Sequence, residues 1–187
     1  MDMRVTLGLV LFLAGFCACS PKPQHASALQ TSVPSAAPTA SNGLPPITVR
    51  SHGNANQPVR IVEKQGNRRL YELTAKSTES TLQSQSQFRG TFAQTHVTFY
   101  GATSGATLTG DAPITTVDRA KESVLMQGGV KSHTSEGVVL TCDQLEYDRS
   151  TGRLHGTGNV HITSKDGYTL TGGSFTSDLR LTQVHMQ

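Results

Sequence analysis

The chain has 187 residues, enough for one domain of ordinary size with an appendage. Apolar residues excluding glycine make up 35% and 18 glycines bring the share near that of soluble proteins, which excludes wholesale disorder and a polytopic membrane protein. A net charge of +3 is too small a surplus for a protein that binds nucleic acid by neutralising phosphates. Of 24 threonines, 21 follow residue 47, and threonine with abundant glycine points to strands and turns.

The amino terminus is a targeting segment over residues 1–19. Arg4 precedes an uncharged apolar run from Val5 to Phe16, 12 residues long, which suits a signal-peptide core and falls short of the ~20 residues of a spanning helix. The run ends in Phe16-Cys17-Ala18-Cys19-Ser20. Cys19, preceded by the small Ala18, resembles the acylated cysteine of a bacterial lipoprotein, although Phe16 stands where leucine is usual. An uncleaved anchor and plain cleavage with release are the alternatives, and all three export the domain. Cys142 is then the single cysteine of the folded part. It cannot form an internal disulfide or a thiolate zinc cage, and its apolar surroundings from Val138 to Thr141 suggest a packed, neutral thiol.

Residues 20–46 read as a disordered tether. Six of the eight prolines fall at or before Pro46, among Ser, Ala, Thr and Gln, a composition unable to offset its ordering entropy. As flexible chain these 27 residues reach ~30 Å on average.

From Ile47 to the end, short alternating runs predict an all-β domain over 47–187. Tyr71 and Leu73, Val97 and Phe99, and Val160 and Ile162 alternate with polar residues, as half-buried antiparallel strands do. Turn signals are read at Gly101 with Gly105, Gly128-Gly129, Ser135-Glu136-Gly137, Ser150-Thr151-Gly152, Lys165-Asp166-Gly167 and Gly172-Gly173. The polar stretch from Leu73 to Gln87 is expected to hold a helical turn or a loop.

An internal repeat underlies the pattern. Residues 129–141 align without a gap on residues 159–171 at an offset of 30, and the register carries on to place Leu145 over Phe175 and Asp148 over Asp178. A looser copy sets Gly105, Leu108, Thr109 and Asp111 over Gly137, Leu140, Thr141 and Asp143, and Tyr71 to Ala75 is a partial first copy. Repeats of this period imply stacked supersecondary units that bury a shared apolar face.

Three stretches carry a resemblance: 125–130 (Leu-Met-Gln-Gly-Gly-Val), 137–148 (Gly-Val-Val-Leu-Thr-Cys-Asp-Gln-Leu-Glu-Tyr-Asp) and 154–162 (Leu-His-Gly-Thr-Gly-Asn-Val-His-Ile). They resemble the LptC family of lipopolysaccharide-export proteins, within a superfamily that includes LptA and OstA-like domains. The opening run Tyr71 to Lys76 is similar to the first strand of such domains, and the likeness covers about residues 59–187. The amino-terminal attachment is closer to LptC than to the soluble LptA, although LptC proteins commonly use a single spanning helix.

The resemblance implies a twisted, open antiparallel β-jelly-roll, taco-like in section, whose apolar groove shields lipid A acyl chains. At about 0.8 kcal/mol per buried CH₂, full burial of several chains would prevent release, so partial burial is expected. Alternation and repeat register name Tyr71, Leu73, Val97, Phe99, Leu108, Leu140, Leu145, Tyr147, Val160, Ile162, Leu170, Phe175, Leu181 and Val184 as lining candidates, or simply as a dry core. The last segment, Leu179 to Gln187, has strand character, and Leu181, Thr182, Gln183, Val184, His185 and Met186 are candidates for a docking edge. The resemblance implies an LptA-like bridge protein at that carboxy-terminal edge and the inner-membrane lipopolysaccharide ABC transporter at the amino-terminal one. It also implies a periplasmic domain held at the inner membrane, whereas Ser20 after Cys19 fits outer-membrane sorting.

No catalytic or cofactor motif is found. His155, His161, Asp143 and Asp148 are close in sequence, but nothing in the spacing converges them on a metal, and His161 alternates with Val160 and Ile162 and should face outward. The expectation is a non-enzymatic carrier, with a soluble LptA/OstA-like bridge or a structural, adhesive β-solenoid as alternatives.

Overall fold

A computed structural model of the chain describes residues 46–54, 56–84, 87–101 and 107–187. The targeting segment, Cys19, the tether up to residue 45 and Gly105 lie outside them. Ten strands form one antiparallel sheet: β1 (Ile47–His52), β2 (Val59–Gln65), β3 (Arg68–Leu82), β4 (Phe88–Tyr100), β5 (Thr107–Asp118), β6 (Ser123–Thr134), β7 (Val139–Asp148), β8 (Arg153–Thr163), β9 (Thr169–Asp178) and β10 (His185–Met186). From β3 to β10 each strand pairs with the next in sequence, and β1 and β2 lie end to end along the free side of β3. The sheet is open, without closure into a barrel, as the twisted β-jelly-roll reading requires.

Two things fold this sheet over itself. Each strand-to-strand step twists by about 20–25°, so eight steps accumulate roughly 160–200°. Apolar residues then meet across the fold: Phe99 of β4 packs at a tilt against Tyr147 of β7 with ring centroids 4.8 Å apart, although β5 and β6 separate the two strands. Tyr71 completes the aromatic group, 6.3 Å from Phe99.

Mid-strand breaks run across the sheet and reset the alternation. Register slips by one between Asp111 and Ile114, Gln127 and Val130, Thr141 and Gln144, and Thr157 and Val160. In β4 the break is Gln94, at φ 50. The inward set therefore changes phase within a strand. In β7, Leu140 and Cys142 are buried and then Leu145 and Tyr147, all on one face.

This corrects two expected turns. Gly128-Gly129 lies inside β6 and Gly172-Gly173 inside β9. Gly128 and Gly129, at φ 93 and 94, supply the left-handed backbone that lets β6 bulge without ending, a conformation that side chains with a Cβ resist. Thirty residues on, Gly158 and Asn159 take φ 74 and 45 at the matching place in β8.

A third correction concerns Leu73 to Gln87, expected as a loop or helical turn. β3 continues to Leu82. Ser80 faces Gly90 in register, and the rings of Phe88 and Phe92 crowd the space beside Gly90. The apolar cover there comes from β4, so β3 itself can be polar.

Candidate functional site

The fourteen lining candidates sort by burial. Twelve are buried: Tyr71, Leu73, Val97, Phe99, Leu108, Leu140, Leu145, Tyr147, Val160, Ile162, Phe175 and Leu181. They belong to one apolar cluster, so the middle of the fold is filled by its own side chains. Leu170 is 47% exposed, and Val184 is partly buried against the cluster.

The inner face is uncovered at two corners. At the first, Ile47 stands opposite Leu82 and Leu82 opposite Phe88, and Phe88 packs on the core, so all three share the inner face. Val49, opposite the buried Ser80, continues it. Ile47, Val49 and Leu82 are nonetheless 56%, 50% and 41% exposed. At the second corner Leu170 pairs with the buried Ile162 and points to the same side, but no described residue roofs it. The corners are diagonal: one lies where β3 ends and β4 begins, the other at the opposite strand ends on the far edge. A strongly twisted sheet closes over its middle and splays there.

Each open corner adjoins an unpaired strand edge. Among the described residues no strand pairs with the outer side of β1, nor with that of Thr169–Gly173 in β9. Of the docking edge expected over Leu181 to Met186, His185–Met186 form the last strand of the sheet and Leu181 to Val184 do not. After Asp178 the chain turns, with Leu181 at φ 57 and buried, and His185–Met186 return to pair with β9 at Phe175 and Thr176, Gln187 continuing the pairing through two backbone hydrogen bonds with Ser174. The cause is Asp178, whose carboxylate accepts bonds from the Thr182 amide and hydroxyl at 2.8 Å each and from the Gln183 amide at 3.2 Å. Burial raises the Asp178 carboxyl, but these bonds outweigh it and leave it below the usual value. The carboxy-terminal edge is therefore shared by the short β10 and the Thr169–Gly173 part of β9 that β10 leaves unpaired.

A polar seam locks the closed middle. Glu63 of β2 accepts a 2.7 Å bond from Arg119, beyond β5, and lies 3.5 Å from Arg149, beyond β7; Arg149 also lies 3.6 Å from Glu122. Arg149 is 13% exposed, and its Nε and Nη1, like the Tyr71 hydroxyl, are buried without a hydrogen bond. Burial, reinforced by Glu63, pushes the Tyr71 phenol up to about 12. Burial likewise pushes the Cys142 thiol up to about 12, which makes it an inert core group.

Sequence reasoning missed the seam and the first corner. Ile47-x-Val49 carried the strand signal for that corner, but its exposure depends on twist.

The titratable residues close in sequence do not converge. Asp148 accepts bonds from Ser150 and Thr151 within its own turn, Asp143 holds Asn159, and His155 contacts Thr176. His161 is exposed, opposite Thr141 and Thr171. Among the described residues no group of three or more His, Cys, Asp or Glu is placed to hold a metal ion.

No protein-family model matches the chain, and no curated protein matches it in sequence.

Proposed function

We propose that the domain is a membrane-tethered periplasmic carrier in lipopolysaccharide export, of LptC type, which shelters lipid A acyl chains and takes no part in covalent chemistry. The observation that carries this reading is the pair of diagonal corners, where an apolar inner face lacks a roof beside an unpaired strand edge. An acyl chain entering at Ile47, Val49 and Leu82 would leave water by lying on a surface already apolar. The adjoining edges suit strand addition, through which neighbouring β-domains would continue the inner face. On this reading the β1 edge meets the jelly-roll of the inner-membrane transporter, and the β9 edge at Thr169–Gly173 meets an LptA-like bridge protein.

The filled middle shapes the mechanism. Chains ride at the ends of the fold, and passage between the corners requires the Glu63–Arg149 seam to part. The same filled middle favours a second reading, a structural or adhesive β-domain without a lipid.

Photo-crosslinking from Val49, Leu82 and Leu170 to lipopolysaccharide, with the outward-facing Thr98 as control, tests the proposal. Labelling at the three inner-face positions and not at Thr98 supports the carrier. Equal labelling at all four, or none, supports the structural reading.

A further inference from the structure

A cavity opens on the outer face over the buried Ala75, Thr95 and Ala112, and nothing in the carrier reading uses it. It measures about 760 Å³, within the roughly 300–1,000 Å³ range of small-molecule sites. It sits across the line of mid-strand breaks, with Gln94 and Gly129 among its walls. Its apolar walls are Pro58 and Pro113, ring side chains that leave room where the strands bend, above the buried Ala75 and Ala112. Its polar part is a row on the outer face: Thr74, His96, Asp111 and Lys131 stand opposite one another on successive strands, with Lys76 beside them.

The charges of that row favour an anion. Asp111 is already engaged, 2.8 Å from Nδ1 of His96. The ammonium groups of Lys76 and Lys131 have no hydrogen bond or ion pair among the described residues, and both side chains are exposed. Two lysines against one carboxylate give the row a net charge of +1. An apolar hollow with two unengaged cations at its rim is complementary to an amphiphile with a single carboxylate and a hydrocarbon tail.

We propose that this outer cavity is a binding site for a fatty-acid-class amphiphile, its carboxylate held at the Lys76 and Lys131 rim and its tail laid against Pro58 and Pro113. The site is independent of the inner-face corners and stands or falls apart from the carrier reading.

Fluorescence titration of the full chain with cis-parinaric acid tests it, with dodecanoic acid and dodecan-1-ol as competitors. Saturation of one site is expected at concentrations well below those at which the inner-face corners take up acyl chains, with the alcohol at least tenfold weaker than the acid at that site. K76Q/K131Q should weaken binding at least tenfold. T74W, which fills the hollow from a partly exposed position, should abolish binding with the unfolding midpoint unchanged, and V49D at the inner-face corner should leave affinity within twofold. The proposal is overturned by absent or unsaturable binding, by equal competition from acid and alcohol, or by lysine variants within twofold of the parent. It is equally overturned if V49D abolishes binding while T74W does not, since the fatty acid would then occupy the inner face.

Discussion

Gly156→Ala sets two effects of opposite sign against each other at one inward position of β8. Glycine inside a strand is costly, and alanine there would ordinarily be worth about 0.5–1 kcal/mol. Here the space belongs to Phe175, opposite Gly156 on β9. A Cβ on residue 156 would overlap Cε1 of that ring and stand 2.7 Å from Cδ1 and 2.9 Å from Cζ. The ring has 0% exposure and packs within the cluster holding Leu145 and Leu154, so it cannot swing into solvent. Overpacking of this kind costs about 1–3 kcal/mol. The clash therefore outweighs the backbone gain, and Gly156→Ala should lower stability by about 1–2 kcal/mol. For a domain of this size that is a fall in Tm of roughly 3–8 °C. Urea unfolding followed by far-UV circular dichroism measures it, and the decisive comparison is the cycle with Phe175→Leu. The smaller side chain should lose stability in the parent, yet cost less in the Gly156→Ala background, a coupling of at least ~0.5 kcal/mol. A Gly156→Ala protein as stable as the parent, or additive behaviour in the cycle, would refute the packing argument.

Two further outcomes follow from polar groups. Asp148 closes its turn with bonds from the Ser150 amide and hydroxyl (2.8 and 2.6 Å) and from the Thr151 amide and hydroxyl (3.2 and 2.7 Å), and these, led by the Ser150 side chain, lower its carboxyl to about 2. Because the folded value lies below the unfolded ~3.9, the stabilisation is complete above roughly pH 5 and fades as pH falls through about 2. Asp148→Ala should cost about 1 kcal/mol at pH 7, as loss of a capping residue does, with the gap to the parent closing in urea melts between pH 4 and pH 2; a constant gap would contradict the assignment. At the seam, Glu63→Gln leaves the 13%-exposed Arg149 short of countercharge and should cost about 3 kcal/mol, the lower end for a broken buried pair. Glu63→Gln with Arg149→Met should cost less than the sum of the singles, and additivity within ~0.5 kcal/mol would show that the seam holds nothing.

Strand existence was legible in the sequence because alternation is a local signal. Tyr71 with Leu73, Val97 with Phe99, and Val160 with Ile162 all lie buried in strands. Strand limits were less legible, because their causes lie on other strands. β3 stays extended to Leu82 under rings from β4, so its own polar sequence reads as a loop. Gly128-Gly129 reads as a turn until it is set on Gly158-Asn159, 30 residues on, where the same positive-φ pair also sits inside a strand. The carboxy terminus held a similar clue. Asp148 over Asp178 places a turn-closing aspartate before both Ser150-Thr151 and Thr182, which contradicts a continuous strand from Leu179 to Gln187.

The candidate site was legible in its chemistry and not in its coverage. Alternation and repeat register named Leu170 at the second corner, whereas Ile47 and Val49 went unnamed and Leu82 fell in a stretch that reads as a loop. Whether the apolar side is roofed depends on contacts such as Phe99 with Tyr147 and Glu63 with Arg149, 48 and 86 residues apart in sequence, which set where the twisted sheet closes. The same contacts bear on the energetics of the proposed carrier. A trough open along its whole length would hold several acyl chains too tightly to release them, at about 0.8 kcal/mol per CH₂. A filled middle limits the exposed apolar surface to the corners. If about six methylenes of a chain are sheltered at one corner, the gain is ~5 kcal/mol, a dissociation constant of order 0.2 mM. Affinity of that order retains a chain while a neighbouring domain extends the corner and releases it once the neighbour leaves. On this account the filled middle is what makes transfer reversible.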